Sequence, residues 1–311
     1  MKIHLIIPPS PFLLDEKVFM SLGILKIAAV LESSYDVNII DLSGDKDYIN
    51  TIKKYVNDDA LFGITTTTPQ LPNVVEINRT LKQYNKRVIL GGPHVTLINS
   101  AYKNEKNKNV IGRATKAMNQ LKNEFDTLVC GDGELAIFKA INGDKYVDAD
   151  DVKSDLFLKD EQFDALPFPA RHLIDVDSYK FTINGVRGLS LISQLGCPFN
   201  CGFCSGRNSP TFRKIRNRSV DNIIKEIDFL YKTYDVKAFM FYDDELNLNS
   251  SIYSLLKELI KYQQQHNVEF LLRGCIKSEL FNETQSDLMS KAGFKKLLVG
   301  FESGSDKILK N

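Results

Sequence analysis

A chain of 311 residues is long enough for about two domains, and 43% apolar with 25% charged residues is an ordinary globular composition. The net charge of +1 excludes a global field drawn to nucleic acid or to an anionic membrane. No apolar run approaches the roughly 18 residues of a membrane span. "MKIHLIIPPSPF" lacks a small-residue cleavage site and runs into Pro8 and Pro9, so it reads as a buried strand and not as a signal peptide. The expected compartment is the cytoplasm, where clustered cysteines are metal ligands or catalysts more often than disulfides.

Taken in chain order, "KIHLIIPP" predicts a first strand, "SLGILKIAAVLES" a helix and "YDVNIIDLSG" a second strand. "DALFGITTTT" is a third strand, followed by a helix through "PNVVEINRTLKQY". "KRVILGGPH" is a fourth strand and "FDTLVCGDGE" a fifth, leading into the helix "ELAIFKAI". The basic stretch over 101–124 reads as a solvated surface helix or insertion; an RNA-binding patch is the other reading. Residues 147–187, acidic and punctuated by proline, read as an ordered connector. After them "GLSLISQLG", "KAFMFYDDE", "EFLLRGCI" and "KKLLVGFESG" are strands, separated by the helices "VDNIIKEIDFLYKTY", "SIYSLLKELIKYQQQH" and "NETQSDLMSKAG". Strands alternating with helices predict an α/β fold with parallel sheets, whose ligands sit at the C-terminal strand ends.

The chain has five cysteines, and three of them, Cys197, Cys201 and Cys204, lie in the loop "GCPFNCGFCSG". A structural zinc site wants four ligands, usually as two separated pairs, and only the isolated Cys130 and Cys275 remain. A dithiol redox pair would use Cys201 and Cys204 and leave Cys197 idle. Three thiolates suit a four-iron, four-sulfur cluster whose fourth iron is open to an external ligand.

The C-x3-C-x2-C spacing in "GCPFNCGFC" resembles the signature of the radical S-adenosylmethionine (SAM) superfamily. The resemblance implies that SAM chelates the open iron and that one electron cleaves a carbon–sulfur bond to give a 5′-deoxyadenosyl radical. It also implies an electron donor such as flavodoxin or ferredoxin. By the same resemblance Asp243, Asp244, Arg273, Glu302 and Ser303, with Ser305, are expected to meet SAM; the alternative is that the carboxylates cap the following helices. Gly300 and Gly304 suit a backbone that approaches a ligand closely. "RKIRNRSVDNIIKEI" matches a stretch usual after the cluster loop, and its Arg213, Arg216 and Arg218 would meet an acidic substrate or form a solvated basic face.

The first half, through "SLGILKIAAVLES", "GITTTTPQLPNVVEI", "VILGGPHVTL" and "LVCGDGEL", resembles the cobalamin-binding domain that precedes a radical SAM barrel, and "LPFPARHLID" resembles the connector of those proteins. The implied organisation is a doubly wound, Rossmann-like parallel sheet over 1–146, a connector over 147–187 and a partial (β/α) barrel over 188–311. The loops expected to line the cobalamin pocket carry Thr65, Thr66, Gly91, Gly92, Gly131 and Glu134. No D-x-H-x-x-G motif supplies an axial histidine; His94 is the one histidine at a plausible strand end, and cobalamin is expected to bind without it. The implied reaction is methylation of an unactivated carbon, or of phosphorus, on a small molecule or peptide. Radical cyclisation or rearrangement with the same cofactors is the alternative. A truncated, non-catalytic cobalamin-binding protein is a third reading, because the barrel series stops after four strands, as in a fragment. Thiomethylation of transfer RNA is set aside, since the first half offers Cys130 alone for a second cluster.

Overall fold

The computed structural model describes residues 1–309, which divide into two units: 1–179 with 198–214, and 180–197 with the chain from Ile215 onward. In the first, the short apolar runs form β1 (Lys2–Ile7), β2 (Asp36–Asp41), β3 (Ala60–Thr65), β4 (Val88–Gly91), β5 (Thr127–Gly131) and β6 (Tyr146–Ala149). They make one parallel sheet in the order β2-β1-β3-β4-β5-β6. Between them run α1 (Leu22–Leu31), α2 (Tyr48–Lys53), α3 (Leu71–Gln83), α4 (Pro93–Asn107), α5 (Arg113–Glu124) and α6 (Gly133–Ile141). With helices over both faces, such strands read as near-continuous apolar runs. Phe62, Ile64, Val88 and Leu90 accordingly share a core with Val74, Ile77 and Leu81 of α3. Two short helices, α7 (Asp160–Ala165) and α8 (Pro210–Arg213), complete this unit.

Two expectations change here. The polar stretch 101–124 is no insertion: it is the end of α4 and the whole of α5, and α5 buries Met118 and Leu121 in the core. Tyr146–Ala149, read largely as the start of the connector, is a sixth strand paired with β5.

The second unit holds a curled half-barrel sheet in the order β13-β12-β11-β8-β7. The strands β8 (Val186–Leu191), β11 (Ala238–Phe241), β12 (Leu271–Ile276) and β13 (Phe294–Val299) run parallel, and β7 (Thr182–Ile183) is an antiparallel edge. A two-residue pair, β9 (Gln194–Leu195) with β10 (Arg216–Asn217), stands apart. The helices are α9 (Val220–Tyr234), α10 (Ile252–His266), α11 (Glu283–Ala292) and α12 (Asp306–Leu309). Their ends follow side-chain chemistry. Ser219 and Asn282 cap α9 and α11 by accepting from Asn222 N and Gln285 N at 3.2 and 2.9 Å. Gly293 ends α11 at φ 100°, where a Cβ would lie 2.1 Å from the Phe270 carbonyl oxygen. In α9 the buried Ile223, Glu226, Ile227 and Leu230 form one helical stripe.

Candidate functional site

In the first sheet the strand order reverses around β1, which has β2 on one side and β3 on the other. The crevice for a ligand in such a sheet opens at the C-terminal strand ends beside this point. There the loops after β3 and β4 are laced together. Thr66 N donates to Gly91 O and His94 N to Thr66 O, each at 3.0 Å. Gly92 sits at φ 97°, ψ −178°, and a Cβ there would be 2.6 Å from Thr66 N and 2.7 Å from Thr65 Oγ1, so only glycine fits. Gly131 has φ 85° and would put a Cβ 2.4 Å from Asp150 N; its own N–H donates to Thr96 Oγ1 at 2.9 Å. Glu134 stands in the first turn of α6, where the helix dipole favours a carboxylate. The structure thus gathers Thr65, Thr66, Gly91, Gly92 and His94 on adjoining loops, with Gly131 and Glu134 at the end of β5.

His94 is buried, its Nδ1 lies 3.0 Å from Thr68 Oγ1, and burial pushes its pKa down. A neutral ring held by a threonine has a structural occupation, in keeping with a cobalamin pocket that takes no histidine from the protein. Small residues and backbone groups line the edge, a set that fits a large planar ligand approaching the strand ends.

The cysteine triplet follows β9 in one loop. Cys204 N donates to Cys201 O at 3.1 Å, a turn joining these two. All three are free thiols; Cys197 and Cys201 are partly buried and Cys204 is exposed. Among the described residues no three His, Cys, Asp or Glu side chains are grouped to hold a metal ion. The triplet is therefore a ligand set strung along one loop, and its chemistry fits an iron–sulfur cluster with one open iron. The other two cysteines suit that role less well. Cys130 is fully buried and its thiol is pushed far above the usual range by burial, and burial also raises that of Cys275. A metal needs the thiolate.

The second sheet places the remaining candidates. In β12 Leu272, Gly274 and Ile276 are buried, so Leu271, Arg273 and Cys275 alternate onto the opposite face. Arg273 is level with Met240 and Lys296, and Cys275 with Leu298. Arg273 Nε is buried without a hydrogen-bond partner, and so is Glu245 Oε2. The Glu245 carboxyl is raised by burial first, opposed by Lys277 and reinforced by Asp244, Glu279 and Glu302. Asp244, Glu245, Lys277, Glu279 and Glu302 therefore form one electrostatic group. Glu302 has a left-handed backbone at φ 56°, and a Cβ on Gly300 would meet its Oε1 at 2.8 Å. Ser303 Oγ accepts from Ser305 N at 3.1 Å.

Asp243 does not join this group. It is 3% exposed, and its Oδ1 accepts from Ser193 N at 2.7 Å and Gln194 N at 3.2 Å while Oδ2 takes the Ser193 hydroxyl. Burial raises its pKa to about 6 against those donors. The carboxylate, expected to meet SAM, is here committed to the chain just before the cysteine loop. Neither Asp243 nor Asp244 caps α10, whose N-cap is Ser251; a backbone N–H of Gly196 donates to Asp244.

The arginines also depart from both readings. Arg218 is 2% exposed, pairs with Glu226 at 2.5 Å and donates to Ile192 O at 2.7 Å. Arg216 is 2% exposed in β10, and Arg213 donates to Pro198 O. Arg213 and Arg218 thus donate to backbone carbonyls in and beside the cysteine loop, and Arg216 and Arg218 are too buried to form a solvated face. Sequence reasoning passed over Glu245, although the carboxylate run "DDE" carried its signal.

Residues 16–122 match the B12 binding domain family and residues 191–311 the Radical SAM superfamily. An uncharacterized methyltransferase of Pyrococcus horikoshii is 29% identical over 99% of this chain and 67% of its own. An anaerobic magnesium-protoporphyrin IX monomethyl ester cyclase of Synechocystis is 22% identical over the whole chain and 63% of its own. The chain thus spans about two thirds of the length of these relatives. The radical SAM methyltransferase TsrM of Kitasatospora setae, solved with cobalamin and a [4Fe-4S] cluster, superposes with a TM-score of 0.73 at 16% identity, over 99% of this chain and 62% of its own. That likeness is one of fold.

Proposed function

We propose, for a chain whose first domain belongs to the B12-binding family and whose second belongs to the radical SAM superfamily, that it is an enzyme methylating an unactivated carbon, or phosphorus, of a small molecule or peptide. The observation that carries this reading is the pairing of the Cys197, Cys201 and Cys204 loop with a preceding B12-binding domain in one chain. When bound, the cluster and SAM supply a carbon-centred radical, and cobalamin supplies the methyl carrier.

Cys197, Cys201 and Cys204 are the thiolates for three irons. Arg273, with a buried unpartnered N–H, is suited to donate to a carboxylate. Asp244, Glu245 and Glu302 offer acceptors to an amino group or to ribose hydroxyls, and Ser303 adds a hydroxyl beside Glu302. Thr65, Thr66, Gly91, Gly92, Gly131 and Glu134 line the cobalamin side. An electron donor such as flavodoxin or ferredoxin completes the set of partners. No described helix is long and apolar enough to cross a membrane.

The second reading, ring formation with the same cofactors, is favoured by one observation, the cyclase among the relatives. SAM labelled in its methyl group separates the two. The reconstituted chain, supplied with a reductant, is expected to form 5′-deoxyadenosine and to place label in product. Cleavage without label in product points to ring formation, and cleavage retained by Cys201→Ala contradicts both.

A further inference from the structure

The exposed tip of the cysteine loop is bracketed by two buried carboxylates. Upstream, Asp243 takes two N–H groups and the hydroxyl from Ser193 and Gln194, and Arg218 N donates to Ser193 O at 3.0 Å. Downstream, Asp150, 0% exposed at the end of β6, accepts with one oxygen from the Ser209 hydroxyl at 2.7 Å and from Thr211 N at 2.9 Å. Ser209 is itself fully buried. Between these anchors, from Cys197 to Asn208, only Gly206 is buried.

We infer that Asp243 and Asp150 are positioning residues that fix the two arms of the loop before iron arrives, so that metal uptake orders the tip alone. The role of the tip as cluster loop rests on the proposed function; the fixing of the arms does not. With its two arms held, a short exposed tip keeps its thiols free to settle around a cluster. Neither carboxylate touches the metal, so each acts through the chain it holds.

Hydrogen exchange on the full chain, first without iron, tests this. The amides of Ser193, Gln194 and Thr211 are expected to exchange slowly and those of 198–204 fast, and reconstitution with iron and sulfide is expected to slow the tip alone. Asp150→Ala should speed exchange at Thr211 by roughly tenfold or more, because a buried donor loses its acceptor. It should also lower the iron bound per chain. Asp150→Asn, which keeps the accepting oxygen, should restore slow exchange, iron content and the cluster's electron paramagnetic resonance signal. Unchanged exchange at Thr211 in folded Asp150→Ala would overturn the inference, as would protected tip amides in the iron-free chain. Because exchange is read without iron, a chain with slow arms that bound no cluster would uphold the anchoring and count against the proposed function instead.

Discussion

His4 is enclosed in the first sheet with the rings of Tyr55 and Phe62 each 5.1 Å away. Its two nitrogens lie 2.8 Å from Asp58 and 3.0 Å from Asn38. Burial lowers its pKa more than Asp58 raises it, and burial lowers that of His94 as well. Both therefore take up a proton at lower pH in the native chain than unfolded. The stability they contribute is present above the ordinary histidine value of about 6.5 and is lost as pH falls below it. Ring-proton titration by nuclear magnetic resonance should give midpoints below 6.5 for both; a midpoint above it for either would contradict this account. The thiols differ in the same way. In iron-free protein an alkylating reagent should label the exposed Cys204 first and reach the buried Cys130 only on unfolding. At this scale the sequence showed which residues carry chemistry, but not which way they turn. Asp243 and Asp244 are adjacent carboxylates at one strand end, and only three-dimensional packing sends one inward to Ser193 and leaves the other beside Glu245. Arg218 likewise reads as surface charge until its partner Glu226, eight residues on, is seen buried with it.

Between elements, close backbone approach and capping do the fixing. Gly92→Ala forces a Cβ onto Thr66 and Thr65 in a backbone region closed to other residues, and is expected to cost about 1–3 kcal/mol or more, read by urea unfolding. Glu105 joins α4 to α5: its carboxylate accepts from the N–H groups of Gly112, Ala114 and Thr115 at 2.8–3.0 Å and from the Thr115 hydroxyl at 2.6 Å. These donors hold its pKa at about 2, well below the ordinary 4.5. The stability it adds is present above the ordinary value and is lost as pH falls toward 2. Glu105→Gln should flatten stability against pH over that window; an unchanged slope would contradict the cap. Most strands and helices were legible because their apolar runs are long and bounded by glycine and proline. The packing of α5 into the core was not, since its charges mask the three-residue spacing of Met118 and Leu121. The β6 strand was hidden by its length of four residues and by Asp148, whose carboxylate the sequence cannot pair with Lys103 at 2.8 Å.

At the scale of the whole chain, the order of a B12-binding domain before a radical SAM domain was readable from the sequence of motifs, because each lies at a strand end and the strands keep their order. The absence of an axial histidine motif carries a consequence for the first unit. In the full chain loaded with cobalamin, the cob(II)alamin resonance should lack nitrogen superhyperfine splitting, and splitting removed by His94→Ala would show ligation by that residue. The central claim is that one loop, through Cys197, Cys201 and Cys204, holds the cluster. Its most direct test is iron and sulfide content after anaerobic reconstitution, with Mössbauer spectra, for the intact chain and for each single Cys→Ala variant. The account predicts about four irons and four sulfides per chain, lost on replacing any of these three and kept on replacing Cys130 or Cys275. A full cluster in the triple variant would contradict it.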